Sequence, residues 1–356
     1  MLLALSVVFA HSPWNDGVAL VGGRNAVQLF YMISGFLIAH VLNTNSNYRD
    51  PIRFYANRAL RIYPTYYVVA LLSLIPALRA HSQFIEFYHQ AGTVPGALLL
   101  LANAVIFGQD WAMFGAVHGG VLSFAVDFHQ SSPPLYDGLL IPQAWTLGVE
   151  LTFYLVAPFL VRRTGAIVAA LVLSLLVRAW LFHLGLGATD PWSYRFFPAE
   201  LSLFLFGALA NRFGLPLWQR ILAGGRFASA PSVAVGAMTA FIVVYFVLPV
   251  PDAVKTLGLM LAFVVLLPLT FLYQAKSRLD KRFGDLSYPI YIGHIFATLV
   301  VGATLRLLHL PTGAGIVTAL NIVAAIALAV LLNRGLERPI ERVRARIRKG
   351  QQLPAS

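Results

Sequence analysis

Long apolar runs separated by short polar connections dominate the chain. Runs at 27–42, 64–80, 144–161, 165–184, 196–211, 231–249, 254–273, 286–308 and 313–333 approach the length needed to cross a bilayer, and 1–10 is a shorter run of the same kind. A spanning helix takes about 20 mostly apolar residues. Hydrocarbon supplies no partner for a backbone N–H or C=O, so spans must be helices rather than open strands. The pattern predicts an all-α, polytopic membrane protein of about ten transmembrane helices, the first one truncated at the N-terminus.

Lys and Arg fix the sides, because cytoplasmic connections carry them in excess. Arg49, Arg53, Arg58 and Arg61 lie in the 43–63 connection, Arg162 and Arg163 in the next basic turn, Arg212, Arg220 and Arg226 in another, and Lys276, Arg278, Lys281 and Arg282 in a fourth. Arg334 and then Arg338, Arg342, Arg344, Arg346, Arg348 and Lys349 follow near the C-terminus. All are expected in the cytoplasm, with 185–195, 250–253 and 309–312 outside. The basic connections 43–63 and 162–164 require an even number of crossings between them, yet 64–80, 94–108 and 144–161 make three. VPGALLLLANAVIFG at 94–108 is the weakest of these and reads as an interfacial or re-entrant helix. That leaves 81–143 as a large extracytoplasmic excursion without a single Lys or Arg. The expected organisation is a transmembrane domain over 1–335 and a basic cytoplasmic tail over 336–356.

Composition sharpens this reading. Hydrophobic residues make up 58% of the 356 and charged ones 11%, where a soluble domain carries roughly 25% charged residues; mean hydropathy is +0.74. The net charge of +12 is explained by clustered arginines at one membrane face, so no nucleic-acid partner is expected. The chain contains no cysteine, which excludes disulfides, thiolate catalysis and Cys-based metal sites. No His-x-x-x-His, Walker or GxGxxG pattern is present, and the GGR at 22–24 is not a phosphate loop. No metal and no bound cofactor are expected; the chemistry must come from His, Asp, Glu, Arg, Ser or Tyr.

Ionisable groups at hydrocarbon depth are costly and point to function. His11, Glu150, Arg195, Glu200 and His294 fall in or beside apolar runs, and Arg58 and Arg61 sit where a helix meets the cytoplasm. Imidazole is the side chain best suited to proton abstraction near neutrality, so His11 is either a general base or an ordinary helix-end histidine. Glu150, in AWTLGVELTFYL, requires a partner: an Arg such as Arg195, or a histidine whose cation it stabilises. Arg58 and Arg61 share a helix face at i, i+3, where two guanidinium forks suit either a pyrophosphate or anionic lipid. Pro64 is expected to set the start of the following helix. Ser34 and Gly35 allow two helices to approach closely. His294, in SYPIYIGHIF, is either a packing residue or a site lining. Trp111, His118, His129 and Tyr136 in the excursion suit a carbohydrate site or an interfacial anchor.

Six segments in order, SVVFAH ending at His11, VQLFYMISGFLI at 27–38, FYANRALRIYPTYY at 54–67, QAWTLGVELTFYLVAPFL at 143–160, FGDLSYPIYIGHI at 283–295 and ERPIERVRARIR at 337–348, together resemble the integral-membrane acyltransferase family 3. These are O-acetyltransferases that modify cell-envelope polysaccharides and related glycans. The resemblance implies a ten-helix fold, His11 as the catalytic histidine, Arg58 and Arg61 as the pair engaging the acyl donor, commonly acetyl-CoA, and Glu150 as the carboxylate of the WSLxVExxFY-like helix. His294 falls on the SYxxYxxH-like segment, with Arg195 as a further possible site lining. The family's basic residue, separated from the histidine by ten residues, would stand immediately before Met1, so about 10–15 further residues upstream are expected to complete a span of roughly 20.

The resemblance thus implies acyl transfer from cytoplasmic acyl-CoA to a hydroxyl of a cell-surface or lipid-linked glycan in the bacterial inner (plasma) membrane, with the C-terminus cytoplasmic and membrane lipids as surroundings. His11 acts on the hydroxyl as a base or first takes the acyl group itself. The competing class is a transporter or flippase for lipid-linked sugars, in which buried charges would spread along a central route; here they gather at a few helix ends.

Overall fold

The computed structural model describes residues 1–13, 20–79, 82–310 and 313–349. Residue 81 of the excursion, residues 311–312 of an outer connection and residues 350–356 of the expected tail lie outside the described residues. In chain order the helices are α1 (Leu2–Ala10), α2 (Gly22–Thr44), α3 (Pro51–Ala77), α4 (Gln83–Gln90), α5 (Thr93–Val105), α6 (Trp145–Leu160), α7 (Thr164–His183), α8 (Phe197–Leu209), α9 (Leu215–Ala223), α10 (Ala230–Val244), α11 (Asp252–Lys276), α12 (Arg278–Asp285), α13 (Ser287–Leu307), α14 (Ala314–Leu332) and α15 (Arg338–Arg348). Between α5 and α6 a hairpin pairs β1 (Gly115–His118) with β2 (Val121–Phe124), His118 opposite Val121. Its tight turn is Gly119 and Gly120, both at positive φ as a two-residue hairpin turn demands.

The protein is an all-α polytopic membrane protein. Eight helical stretches among the described residues are long and apolar enough to cross a membrane. α6, with 16 residues, is about 24 Å long at 1.5 Å per residue, shorter than the roughly 30 Å hydrocarbon core, and α1 has nine residues. α5 has 13 residues and falls short of a crossing, as the parity argument requires. Two compact units partition the chain. One comprises Met1–Arg61, Phe159–Ile167 and the chain from Leu203 onward; the other comprises Ile62–Pro158 and Val168–Ser202.

Two boundaries depart from the sequence reading. α3 begins at Pro51 and runs through Pro64, so the helix that carries Arg58 and Arg61 continues into the 64–80 run and no new helix starts at Pro64. A proline removes one backbone donor, and a membrane helix tolerates that where neighbouring groups satisfy the carbonyl it releases. The second departure concerns the basic connection after α8. A π turn at Ala210–Gly214 carries the helix on into α9, and the Arg212 guanidinium donates to the Arg162 carbonyl at 3.2 Å. Arginine here closes carbonyls left open at the end of α6.

In the first unit, α1 lies against α13 and α14 through a core of Ala4, Val8, Ile290, Ala297, Ala325 and Ala329. Small residues permit that closeness without a void. α2 and α8 approach still more tightly. A Cβ on Gly35 would stand 1.9 Å from the Phe204 carbonyl oxygen, and one on Gly207 would stand 2.0 Å from that of Met32. Tyr31 stacks on Phe204 beside this crossing, ring centroids 4.7 Å apart. The basic C-terminal stretch is also ordered into this unit. α14 passes through a π turn, Asn333–Glu337, into α15, where Asn57 donates to the Arg344 carbonyl at 3.1 Å and Asn47 to that of Arg348 at 2.8 Å.

The crossing of α2 and α8 yields a direct test. Gly35→Ala has no room without parting the two backbones, so thermal unfolding of the detergent-solubilised protein should show a loss of about 1–3 kcal/mol. Gly236→Ala, whose Cβ would meet nothing within 4 Å, should be neutral or slightly stabilising; equal effects would contradict the close crossing.

Candidate functional site

α1 ends at His11, and two of its final carbonyls, those of Val7 and Val8, take a side-chain bond in addition to the backbone N–H of His11. His11 Nδ1 lies 2.9 Å from the Val7 carbonyl oxygen, and Ser12 Oγ donates to Val8 at 2.8 Å. A carbonyl can only accept, so the neutral ring carries its proton on Nδ1 and presents a lone pair on Nε2. His11 is exposed. His294, on α13, repeats the arrangement: its Nδ1 is 2.6 Å from the Tyr291 carbonyl oxygen. The two rings stand 5.0 Å apart, tilted by 53°. His294 is 1% exposed, and its Nε2 has no hydrogen-bond partner among the described residues. Asn321, from α14, reaches Ser12 Oγ at 3.4 Å and leaves its own carbonyl oxygen buried without a partner among the described residues. Sequence reading passed over Ser12 and Asn321, which are small polar residues inside apolar runs.

A second constellation of the same unit surrounds the arginine pair. Arg58 donates to Asn57 Oδ1 at 2.9 Å and lies over the Phe54 ring at 5.9 Å. Arg61 pairs with Glu337 at 3.2 Å and lies over the Tyr288 ring at 5.6 Å. Arg344 packs on the same turn of α3, with Arg58, Arg61 and Arg348 all within electrostatic reach of it. Its Nε donates to the Asn57 carbonyl at 3.3 Å, and its guanidinium pairs with Glu341. The tail thus adds two guanidiniums to a face on which the i, i+3 spacing showed two.

Glu150 and Arg195 belong to the other unit. Glu150, early in α6, accepts a hydrogen bond from the Tyr154 hydroxyl one turn on. Arg195 is clamped in two ways. Its Nε and Nη2 bind the two oxygens of Asp190 at 2.5 and 2.9 Å, and its plane lies 4.2 Å from the Trp145 ring and 5.6 Å from that of Phe128. Glu200, fully buried, pairs with Arg178 at 2.8 Å. Arg178 was not among the sequence candidates, although it interrupts an apolar run as plainly as Glu200 does. The excursion is held by its own polar ladder: Gln109 donates to the Tyr66 hydroxyl at 3.0 Å, and Tyr66 to the Asn103 carbonyl at 2.7 Å.

Asp110 is a further residue that the sequence did not single out. It is 2% exposed, and its Oδ1 has no hydrogen-bond partner among the described residues. A Cβ on Gly148 would stand 2.5 Å from that oxygen, so glycine is what admits the carboxyl against α6. Burial pushes its pKa up to about 7, against the pull of its own backbone N–H and that of Trp111. Among the described residues, no group of three or more His, Asp or Glu could hold a metal ion.

A family model described as an acyltransferase domain matches residues 1–334. Nodulation protein 10 of Rhizobium leguminosarum bv. viciae is 27% identical over 332 residues, 83% of this chain and 80% of that protein. The exopolysaccharide production protein ExoZ of Rhizobium meliloti is 26% identical over 346 residues, 95% of this chain and 96% of ExoZ. An uncharacterized protein of Aquifex aeolicus is 23% identical over 220 residues, 60% of this chain and 92% of its own length. No solved structure matches.

The Asp110 environment sets a pH dependence with a definite sign. A carboxyl whose folded pKa is raised favours folding in its protonated form, so its contribution is complete below pH 4 and is lost as pH rises toward about 7. The apparent Tm of the solubilised protein should fall across that window, and Asp110→Asn should flatten the fall. An unchanged profile in the variant would place the dependence elsewhere.

Proposed function

Because the chain belongs to acyltransferase family 3 and is a multi-pass membrane O-acyltransferase, we propose that it moves an acyl group, acetyl first among candidates, from acyl-CoA to a hydroxyl of a cell-surface or lipid-linked glycan. A glycan acceptor is supported by the nodulation and exopolysaccharide names of its relatives. The reading places the enzyme in a bacterial inner membrane with its basic connections and C-terminus in the cytoplasm, in keeping with the positive-inside rule.

One observation carries the chemistry: the Val7 carbonyl holds the His11 proton on Nδ1, so Nε2 is the basic nitrogen of an exposed imidazole. In the proposed step Nε2 removes the proton of the acceptor hydroxyl while its oxygen attacks the thioester carbonyl. The new C–O bond forms, the C–S bond breaks, and the imidazolium returns the proton to the departing thiolate. Arg58 and Arg61 bind the donor's diphosphate from the cytoplasm, since paired guanidiniums match phosphate oxygens bidentately. Glu150 is the carboxylate assigned to proton handling.

His11→Ala should lower acyl-dependent release of coenzyme A thiol by the purified protein at least ~100-fold, with unfolding little changed because the ring is exposed. Most of the activity surviving would reject His11 as the base. Arg58→Gln with Arg61→Gln should raise the KM for acetyl-CoA ~10-fold or more and leave that for the acceptor nearly unchanged. The reverse split would reassign the pair to lipid anchoring.

A further inference from the structure

Three arginines of the first unit line one cavity with a single carboxylate, Asp285, among them. Arg282 at the end of α12, Arg334 in the π turn and Arg338 at the start of α15 line an open cavity of about 130 Å³, together with Asp285, Asn333 and a wall that includes Leu286. That volume is many times the roughly 10–15 Å³ that one water occupies. None of the three arginines makes a side-chain hydrogen bond or salt bridge with the described residues. By contrast Arg61, Arg178, Arg195, Arg344 and Arg348 are each paired with a carboxylate. Arginines left unpaired side by side repel one another, and their forks are shaped for oxyanions.

The backbone here is unusual as well. Asn333–Glu337 is a π turn, a form that occurs mostly as single turns inside α-helices and often at functional sites. From this one turn Asn333 and Arg334 line the cavity, while Glu337 binds Arg61 at 3.2 Å and accepts from Asn333 at 3.4 Å. The cavity is therefore linked to Arg61 through Glu337, which accepts from the lining residue Asn333. Formal charge narrows the ligand: three arginines against Asp285 leave +2, the match for a phosphomonoester of about −1.5 to −2 rather than for a singly charged diester.

The geometry points to Arg282, Arg334 and Arg338 as a second phosphate subsite that takes a phosphomonoester. Resting on the acyl-CoA reading above, its occupant is the donor's 3′-phosphate, held while Arg58 and Arg61 hold the diphosphate. A lipid with a monoester headgroup offers the same chemistry from the bilayer, and the experiment separates the two sources.

Binding of coenzyme A and of 3′-dephospho-coenzyme A to the full-length protein in nanodiscs should differ ~10-fold or more in favour of the 3′-phosphate. Arg334→Gln with Arg338→Gln should weaken coenzyme A binding by that factor and leave the dephospho form unchanged. Arg346→Gln, an exposed charge on α15 outside the cavity, should alter neither. If coenzyme A binds with no preference for its 3′-phosphate, or keeps the preference in the double variant, the donor assignment is overturned while the acyl-CoA reading stands. If coenzyme A does not bind at all, that reading fails by itself. The subsite is then tested with lipid alone: thermal stabilisation by phosphatidic acid but not by phosphatidylglycerol, lost in the double variant, assigns it to a lipid monoester. Equal behaviour of wild type and variant toward both lipids overturns the subsite altogether.

Discussion

A bilayer gives backbone polar groups no solvent to fall back on, and that constraint organises what the side chains of this protein do. Carbonyls that an α-helix cannot satisfy at its end must find a donor nearby. At α1 the His11 and Ser12 side chains add to the backbone bonds; in the turn after α6 the donor is Arg212; at the end of α15 they are Asn45 and Asn47. The same device has different consequences according to the residue recruited. A serine or asparagine bonded in this way only adds a donor, whereas a histidine has its tautomer fixed and the lone pair left on its other nitrogen. The tautomer of His11 is therefore tied to how α1 stops.

Burial of charge follows a parallel logic. Glu200 is fully buried with Arg178 against it, and Arg195 carries both a bidentate carboxylate and aromatic faces. Removing Arg178 would leave the fully buried Glu200 charge uncompensated, the costly way to break such a pair. Asp110 and His294 differ, because each keeps a buried polar atom without a partner among the described residues. Desolvated groups left in that condition are expensive to maintain, and functional sites are where such an expense is retained.

The helices were legible because their signal is length and apolarity, which a bilayer reads much as a sequence scan does. The Gly35 approach was legible too, since a small residue in an apolar run has few other uses. What escaped was anything set by the direction of a side chain. Pro64 looked like a boundary, yet α3 absorbs it. The Arg58/Arg61 spacing was visible, but Arg344 reaches the same place through contacts with Asn57, 287 residues earlier in the chain, that no local pattern encodes. The pairing of His11 with His294 likewise depends on α1 packing against α13, and the alanines that allow it carry no signature of a partner.

The C-terminal basic stretch shows most plainly why charge alone is a poor guide. A run of arginines after the last span would ordinarily be solvated and weakly held, with each surface ion pair worth at most about 1 kcal/mol. Arg344 is instead 7% exposed, and a buried guanidinium is tolerable only if its donors are met. Asn57 meets them with both its backbone and its side-chain oxygen, and returns a hydrogen bond to the Arg344 carbonyl. This reciprocal contact fixes α15 against the turn of α3 that carries Arg58 and Arg61. Motion of the tail helix therefore cannot be separated from the geometry of the arginine pair, and α15 is held as part of the packed unit by reciprocal contacts with α3.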